Sequence, residues 1–82
     1  MTHEEIVNKI NAALAEDFEV DQESITPDAS MKEILDLDSL DYVDLIVLLE
    51  QHFGLKVKGS DFVEIQTFGD LYQYIFKHIH RE

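Results

Sequence analysis

Hydrophobic residues recur every three or four positions in three separate stretches of the chain, a spacing typical of amphipathic α-helices. The first stretch follows the capping-box signal Thr2-x-x-Glu5 and predicts a helix over about residues 3–16. The last stretch follows a second signal of this kind, Thr67-x-x-Asp70, and predicts a helix that continues to the charged end of the sequence. Each of these helices is expected to bury one apolar face.

The middle stretch predicts the central helix, because neither Gly nor Pro interrupts the run from Leu40 to Phe53. This helix should start at Asp38 or Ser39, since Asp38 and Asp41 place negative charge where it complements a helix N-terminus. Gly54 then supplies a C-terminal stop.

The segments between these helices lack a long periodic pattern. Turn-forming residues between Glu19 and Lys32 predict a long loop, and Phe62–Ile65 after Gly59-Ser60-Asp61 predicts a small helix. Three apolar residues are expected to anchor the loop to the core: Val20, Ile25 and Met31. Together the elements predict an all-α fold, a small four-helix bundle of three main helices and one short helix with a long first loop, in a single domain covering residues 1–82.

The central helix carries hydrophobic residues on two opposite faces. Its inward face spans an arc of ~100° on a helical wheel and contains Tyr42, Leu45, Ile46, Leu49 and Phe53. Leu40, Val43 and Val47 fall roughly opposite, where a solitary soluble domain should carry charge. These residues either pack under the long loop through Leu35 and Leu37 or form a docking surface, and the pattern leaves both explanations open.

The charge of the chain indicates which partners it can have. Its 18 acidic residues and six basic residues give a net charge of -12. Such a chain repels nucleic acid and anionic membrane surfaces, so its expected partners are proteins with Lys or Arg patches. The segment 33–55 has no Lys or Arg, and its acidic residues are Glu33, Asp36, Asp38, Asp41, Asp44 and Glu50. A solvated helix face normally mixes both signs, so this pattern favours steering of a basic partner.

Several other classes of site can be set aside. The chain has no cysteine, which excludes disulfides and thiolate metal sites. Asp36-x-Asp38 is not a calcium loop, because Asp41 stands where such a loop needs glycine, and we expect no metal site beyond diffuse cation binding. His78 and His80 are interpreted as surface histidines. Without a signal-peptide pattern or a membrane span, the chain is expected to be a soluble, cytoplasmic monomer.

Two runs of the sequence resemble a known family. The first is Leu37-Asp38-Ser39-Leu40-Asp41, followed by Val43, Leu45 and Glu50-x-x-Phe53. The second is Thr67-Phe68-Gly69-Asp70-Leu71 with Tyr74-Ile75. Both runs, and the order and spacing of the helices across nearly the whole chain, are similar to those of the acyl carrier proteins.

This resemblance implies a carrier rather than an enzyme. A holo-carrier-protein synthase would attach 4′-phosphopantetheine to the Ser39 hydroxyl, and acyl groups would travel on it as thioesters in fatty-acid, polyketide or related lipid biosynthesis. The further partners implied are acyl-loading and condensing enzymes with basic docking patches. The resemblance assigns docking to Asp38, Leu40, Asp41, Asp44, Val47 and Glu50.

Some residues depart from the family pattern and keep other functions open. Lys56 and Lys58 stand where many fatty-acid carriers are acidic or have Pro, and Tyr42 occupies a position that is commonly smaller. A specialised cargo, such as an amino-acyl or D-alanyl group or a polyene, is one alternative. An acidic helical interaction module without a prosthetic group is another. A hydrolase is not, because Ser39 lacks a Gly-x-Ser-x-Gly elbow.

Overall fold

The computed structural model describes residues 2–79, and this part of the chain folds into helices joined by loops. Its four α-helices are α1 (His3–Phe18), α2 (Met31–Leu35), α3 (Ser39–Phe53) and α4 (Phe68–His78). Two 3₁₀ helices are also present, a first one at Gln22–Ser24 and a second one at Gly59–Val63. The prediction of an all-α bundle is confirmed. No helix within residues 2–79 is both long and apolar enough to cross a bilayer.

The capping signals in the sequence are the actual starts of the long helices. At α1, the Thr2 hydroxyl accepts a hydrogen bond from the Glu5 N–H at 3.1 Å, and the Glu5 carboxylate accepts one from the Thr2 N–H at 2.8 Å. Thr67 and Asp70 form the same reciprocal pair at α4. The predicted continuation of the last helix to His80, Arg81 and Glu82 lies outside the described residues.

The connections differ from the prediction in two places. The long loop ends in α2, which was not predicted because a helix of five residues is too short to display a period. The small helix predicted at Phe62–Ile65 is the second 3₁₀ helix, and it begins at Gly59 because the Lys58 N–H donates to the Asp61 carboxylate at 3.0 Å. In addition, α1 extends to Phe18, two residues beyond the predicted end.

The buried side chains form one hydrophobic cluster between the helices. Fully buried members include Ile10, Leu14, Leu45, Leu49, Phe68, Leu71 and Ile75. The loop anchors Ile25 and Met31 are buried as predicted, whereas Val20 is only partly buried. Three backbone hydrogen bonds join this loop to the start of α4, among them Gly69 N–H to Pro27 C=O at 2.9 Å. A Cβ at Gly69 would lie 3.0 Å from the same oxygen, so this close approach favours glycine.

The two faces of α3 have different environments. Leu45, Leu48 and Leu49 are buried, and Leu48, which the wheel did not place on the inward face, lies near residues of α1. The other predicted inward residues, Tyr42, Ile46 and Phe53, are partly buried against the core. Leu35 and Leu37 are buried, yet Leu40, Val43 and Val47 remain 77%, 55% and 44% exposed. The explanation that the loop covers these three residues is therefore wrong, and they lie on the surface.

The helix cap at the start of α4 should make the stability of the fold sensitive to acid. The Thr67 and Gln66 N–H groups donate to the Asp70 carboxylate and hold its pKa below the ordinary value of 3.8. A lowered pKa in the folded state stabilises the protein above that ordinary value, and this stabilisation is lost as the pH falls through the folded pKa. We therefore expect Asp70→Ala to lower the melting temperature by several degrees at pH 6 and to have a smaller effect at pH 2.

Thermal melts followed by circular dichroism would measure this difference. Glu23→Ala serves as the control, because Glu23 is exposed in the first 3₁₀ helix and belongs to no capping box. An Asp70→Ala deficit of the same size at both pH values would contradict the role given to the carboxylate.

Candidate functional site

Ser39 is the first residue of α3, and its side chain is exposed. The residues on either side of it build a reciprocal cap. One oxygen of the Asp38 carboxylate accepts from the N–H groups of Leu40 and Asp41 at 2.9 and 3.1 Å. The Asp41 carboxylate accepts from the Asp38 N–H at 3.0 Å. The helix start is thus held by its neighbours, and the cap requires neither the Ser39 hydroxyl nor the Ser39 N–H.

This environment distinguishes Ser39 from the other serines. The Ser30 hydroxyl caps α2 by accepting from the Glu33 N–H at 3.3 Å, while Ser24 and Ser60 lie in the two short 3₁₀ helices. Ser39 begins a helix of 15 residues, whose N-terminus carries a partial positive charge that favours a phosphate group.

Within residues 2–79, no histidine is hydrogen-bonded to Ser39. His3 stacks on Phe76 with ring centroids 3.9 Å apart, and His78 stacks on Tyr74 at 4.1 Å. His52 is 13 residues further along α3, which places it about 20 Å away along the helix axis. Within residues 2–79, no three His, Asp or Glu side chains are grouped closely enough to hold a metal ion. His80 lies outside the described residues.

An apolar pocket of about 350 Å³ adjoins Ser39. Its lining consists of Ser39, Tyr42, Gly59, Phe62 and Val63. The rings of Tyr42 and Phe62 contact each other here, with centroids 5.4 Å apart and planes inclined at 51°. Gly59 and Val63 were not predicted from the sequence as members of this site, because they are 20 or more residues away from Ser39 and no motif connects them to it.

The exposed side of α3 brings together most of the docking residues predicted from the sequence. We call this surface the outer face; it consists of Leu40, Val43, Asp44, Val47 and Glu50, all of which are exposed. Asp38 and Asp41 lie at its N-terminal end, but their carboxylates point back to the backbone in the helix cap. Asp41 is also partly buried. The outer face therefore combines apolar contacts with acidic groups on the helix that begins at Ser39.

Comparison with known proteins identifies the family. Residues 8–75 match the family model described as "Phosphopantetheine attachment site". The chain is 41% identical over 78 residues to an acyl carrier protein of Lactobacillus johnsonii, an alignment that covers 95% of this chain and 98% of that protein. It belongs to the acyl carrier protein family. It is 40% identical over 76 residues to the acyl carrier protein of Thermotoga maritima, with 93% and 94% of the two chains covered.

A third relative, acyl carrier protein 2 of Ralstonia nicotianae, is 39% identical over 71 residues, or 87% of this chain and 88% of that protein. Acyl carrier proteins hold a covalently attached 4′-phosphopantetheine group and work with a synthase and with biosynthetic enzymes. This chain is accordingly a carrier and not a catalyst. The start of α3 fits that group, because an exposed hydroxyl stands beside a backbone N–H that the cap does not use.

Proposed function

We propose that Ser39 holds 4′-phosphopantetheine as a phosphodiester and that the protein carries acyl intermediates of fatty-acid, polyketide or related lipid biosynthesis. The observation that carries this proposal is the position of Ser39: it is the exposed first residue of α3, and its hydroxyl is not needed for the helix cap. The 4′-phosphopantetheine group supplies a thiol that binds acyl chains as thioesters. The protein supplies a fixed point of attachment and a surface by which enzymes recognise it.

The residues around Ser39 have separate tasks in this proposal. Asp38 and Asp41 keep the helix start rigid, so that the Ser39 hydroxyl is offered to a synthase in one position. The positive end of α3 then favours the phosphate next to it. Tyr42, Phe62 and Val63 provide an apolar wall at the base of the arm, on which a hydrophobic cargo can rest.

Partner enzymes are proposed to bind the outer face of α3. Asp44 and Glu50 attract Lys and Arg residues, while Leu40, Val43 and Val47 supply apolar contact. Charge complementarity raises the rate of encounter without requiring tight affinity, which suits a carrier that must leave each enzyme. The net charge of -12 also opposes self-association, so we propose that the carrier acts as a monomer with one domain over residues 1–82.

A specialised cargo is a second candidate, and the aromatic pair favours it. Tyr42 and Phe62 are in contact across the pocket beside Ser39 and narrow the space next to the arm. An amino-acyl, D-alanyl or polyene group would make different contacts with Tyr42 and Phe62 from those of a long saturated chain. Loading the holo protein in parallel with acyl-carrier and amino-acyl-carrier enzymes, and comparing the rates, would distinguish these classes of cargo.

Peptide mapping tests the proposed attachment directly. The protein is incubated with coenzyme A and a carrier-protein synthase of broad specificity, digested, and analysed by tandem mass spectrometry. We expect one phosphopantetheine group per chain, on the peptide that contains Ser39. Attachment at Ser24, Ser30 or Ser60 would overturn the site. No gain in mass with several synthases would overturn the attachment and favour an interaction module without a prosthetic group.

A further inference from the structure

A groove of about 480 Å³ lies between α1 and α3, separate from the pocket beside Ser39. We call it the α1–α3 groove; its lining is Lys9, Ala12, Ala13, Glu16, Asp17, Asp44, Val47, Leu48, Gln51 and His52. At one end of the groove, Lys9 of α1 lies beside His52 near the C-terminus of α3. The lining on α1 extends over eight residue steps, or about 12 Å, which is the length of two helical turns.

Small and apolar side chains form the floor of the α1–α3 groove. Ala12 and Ala13 leave space on α1, and Ala12 is exposed. On α3, Leu48 is nearly buried and Val47 is 44% exposed. Val47 also belongs to the outer face, so the groove and that face form one continuous surface. A partner seated on the outer face can therefore extend sideways to α1.

Acidic residues outnumber basic residues along the α1–α3 groove. Glu16 and Asp17 of α1 and Asp44 of α3 are exposed acidic residues that line it. Lys9 is the one basic residue of the lining, but its Nζ donates to the His52 carbonyl at 3.0 Å and lies 5.3 Å from the centroid of the Phe53 ring. These contacts hold Lys9 against the end of α3. The remaining acidic groups are free to attract positive charge from a partner.

We propose that the α1–α3 groove is a second docking surface, and that it takes an amphipathic helix of a partner protein about two turns long. Apolar residues of that helix would contact Ala12, Val47 and Leu48, and Lys or Arg residues would lie next to Glu16, Asp17 and Asp44. A second copy of this chain is a poor occupant because both copies carry a charge of -12. The proposal goes beyond carrier function and does not depend on the modification of Ser39.

An NMR titration of the unmodified full chain tests this proposal. The probe is a synthetic amphipathic peptide of about four helical turns with Leu on one face and Lys on the other. The same peptide with Glu in place of Lys is the control ligand. We expect amide shifts to concentrate on Ala12, Ala13, Glu16, Asp44 and Gln51, and to weaken strongly between low and high salt. Shifts confined to Leu40 and Val43, or spread evenly over the acidic loops, would overturn the proposal.

Two matched pairs of variants separate the groove from the general acidity of the protein. Glu16→Lys with Asp17→Lys should weaken the Lys peptide by about tenfold or more, whereas Glu23→Lys with Asp28→Lys makes the same change of charge outside the groove and should weaken it by less than about threefold. Equal losses in the two double variants would reject a specific groove.

A second comparison leaves the charge unchanged. Ala12→Trp fills the groove, while Asn8→Trp places the same bulk at an exposed position of α1 that does not line it. We expect Ala12→Trp alone to reduce peptide binding, by about fivefold or more. Circular dichroism of each variant verifies that α1 remains folded. If neither variant impairs binding, or if both variants impair it equally, the groove is not the binding surface.

Discussion

Ser39→Ala is expected to abolish phosphopantetheine attachment completely while leaving the helical fold intact. The hydroxyl is the group that would form the phosphodiester, so its removal leaves no acceptor at the start of α3. The cap does not depend on it, because the Asp38 carboxylate accepts from the N–H groups of Leu40 and Asp41, and the Asp41 carboxylate accepts from the Asp38 N–H. Alanine is also a favourable residue within a helix, so we expect the free energy of unfolding to change by less than about 0.5 kcal/mol.

Intact-protein mass spectrometry after incubation with coenzyme A and a synthase measures this result. Ser60→Ala is the matched control, because Ser60 is an exposed serine on the second 3₁₀ helix, adjacent to the Gly59 that lines the pocket beside Ser39. We expect the control to gain one phosphopantetheine group, as the wild type does. A mass gain in Ser39→Ala would move the attachment site elsewhere, and circular dichroism would reveal whether a loss of modification came from unfolding instead.

Reversal of charge on the outer face should slow loading by the synthase by about 10- to 100-fold at low salt. Asp44→Lys with Glu50→Lys replaces two attractive groups by two repulsive ones beside Val47, and steering by charge acts on association rates over this range. Both residues are exposed in the middle of α3, and neither belongs to its capping box. We therefore expect the loading rate to fall much more than the stability.

Asp41 needs a different substitution in the same experiment. Its carboxylate accepts the Asp38 N–H, so Asp41→Lys would damage the helix start as well as remove charge. Asp41→Asn keeps an oxygen acceptor and removes only the charge, which makes it the cleaner variant. We expect this single change to slow loading less than the double reversal does.

Stopped-time loading assays at several salt concentrations would measure these rates. Glu23→Lys with Asp28→Lys is the control, since it changes the net charge equally but lies on the first loop. The difference between the two double variants should shrink as salt screens the charges. Wild-type loading by Asp44→Lys with Glu50→Lys, or equal slowing by the control, would contradict docking on the outer face.

The long helices of this fold, and the residues at which they begin, can be predicted from short-range sequence patterns. Thr2 with Glu5, Asp38 with Asp41 and Thr67 with Asp70 are neighbours three residues apart, and their hydrogen bonds form within a single helical turn. For this reason, the sequence alone is enough to predict the role of these residues in the folded chain. The motif around Ser39 and the excess of acidic residues are local or compositional as well, and the motif is part of the resemblance to the carrier family.

The environment of each helix face depends on packing between segments distant in the chain. A wheel of α3 has two apolar faces, and it does not show that Leu48 is buried while Val47 remains 44% exposed. The pocket beside Ser39 similarly requires Gly59 and Val63, which are 20 or more residues away. A five-residue helix such as α2 shows no period of its own, and it is held by the burial of Met31 and Leu35.

The amino-acid sequence therefore specifies the three long helices, their caps, the acidic character and Ser39 as the candidate attachment residue, because each of these depends on neighbouring residues or on composition. Tertiary structure alone exposes the outer face and opens the α1–α3 groove. These features arise where side chains from separate helices meet, and periodicity within one helix carries no information about which partner covers it.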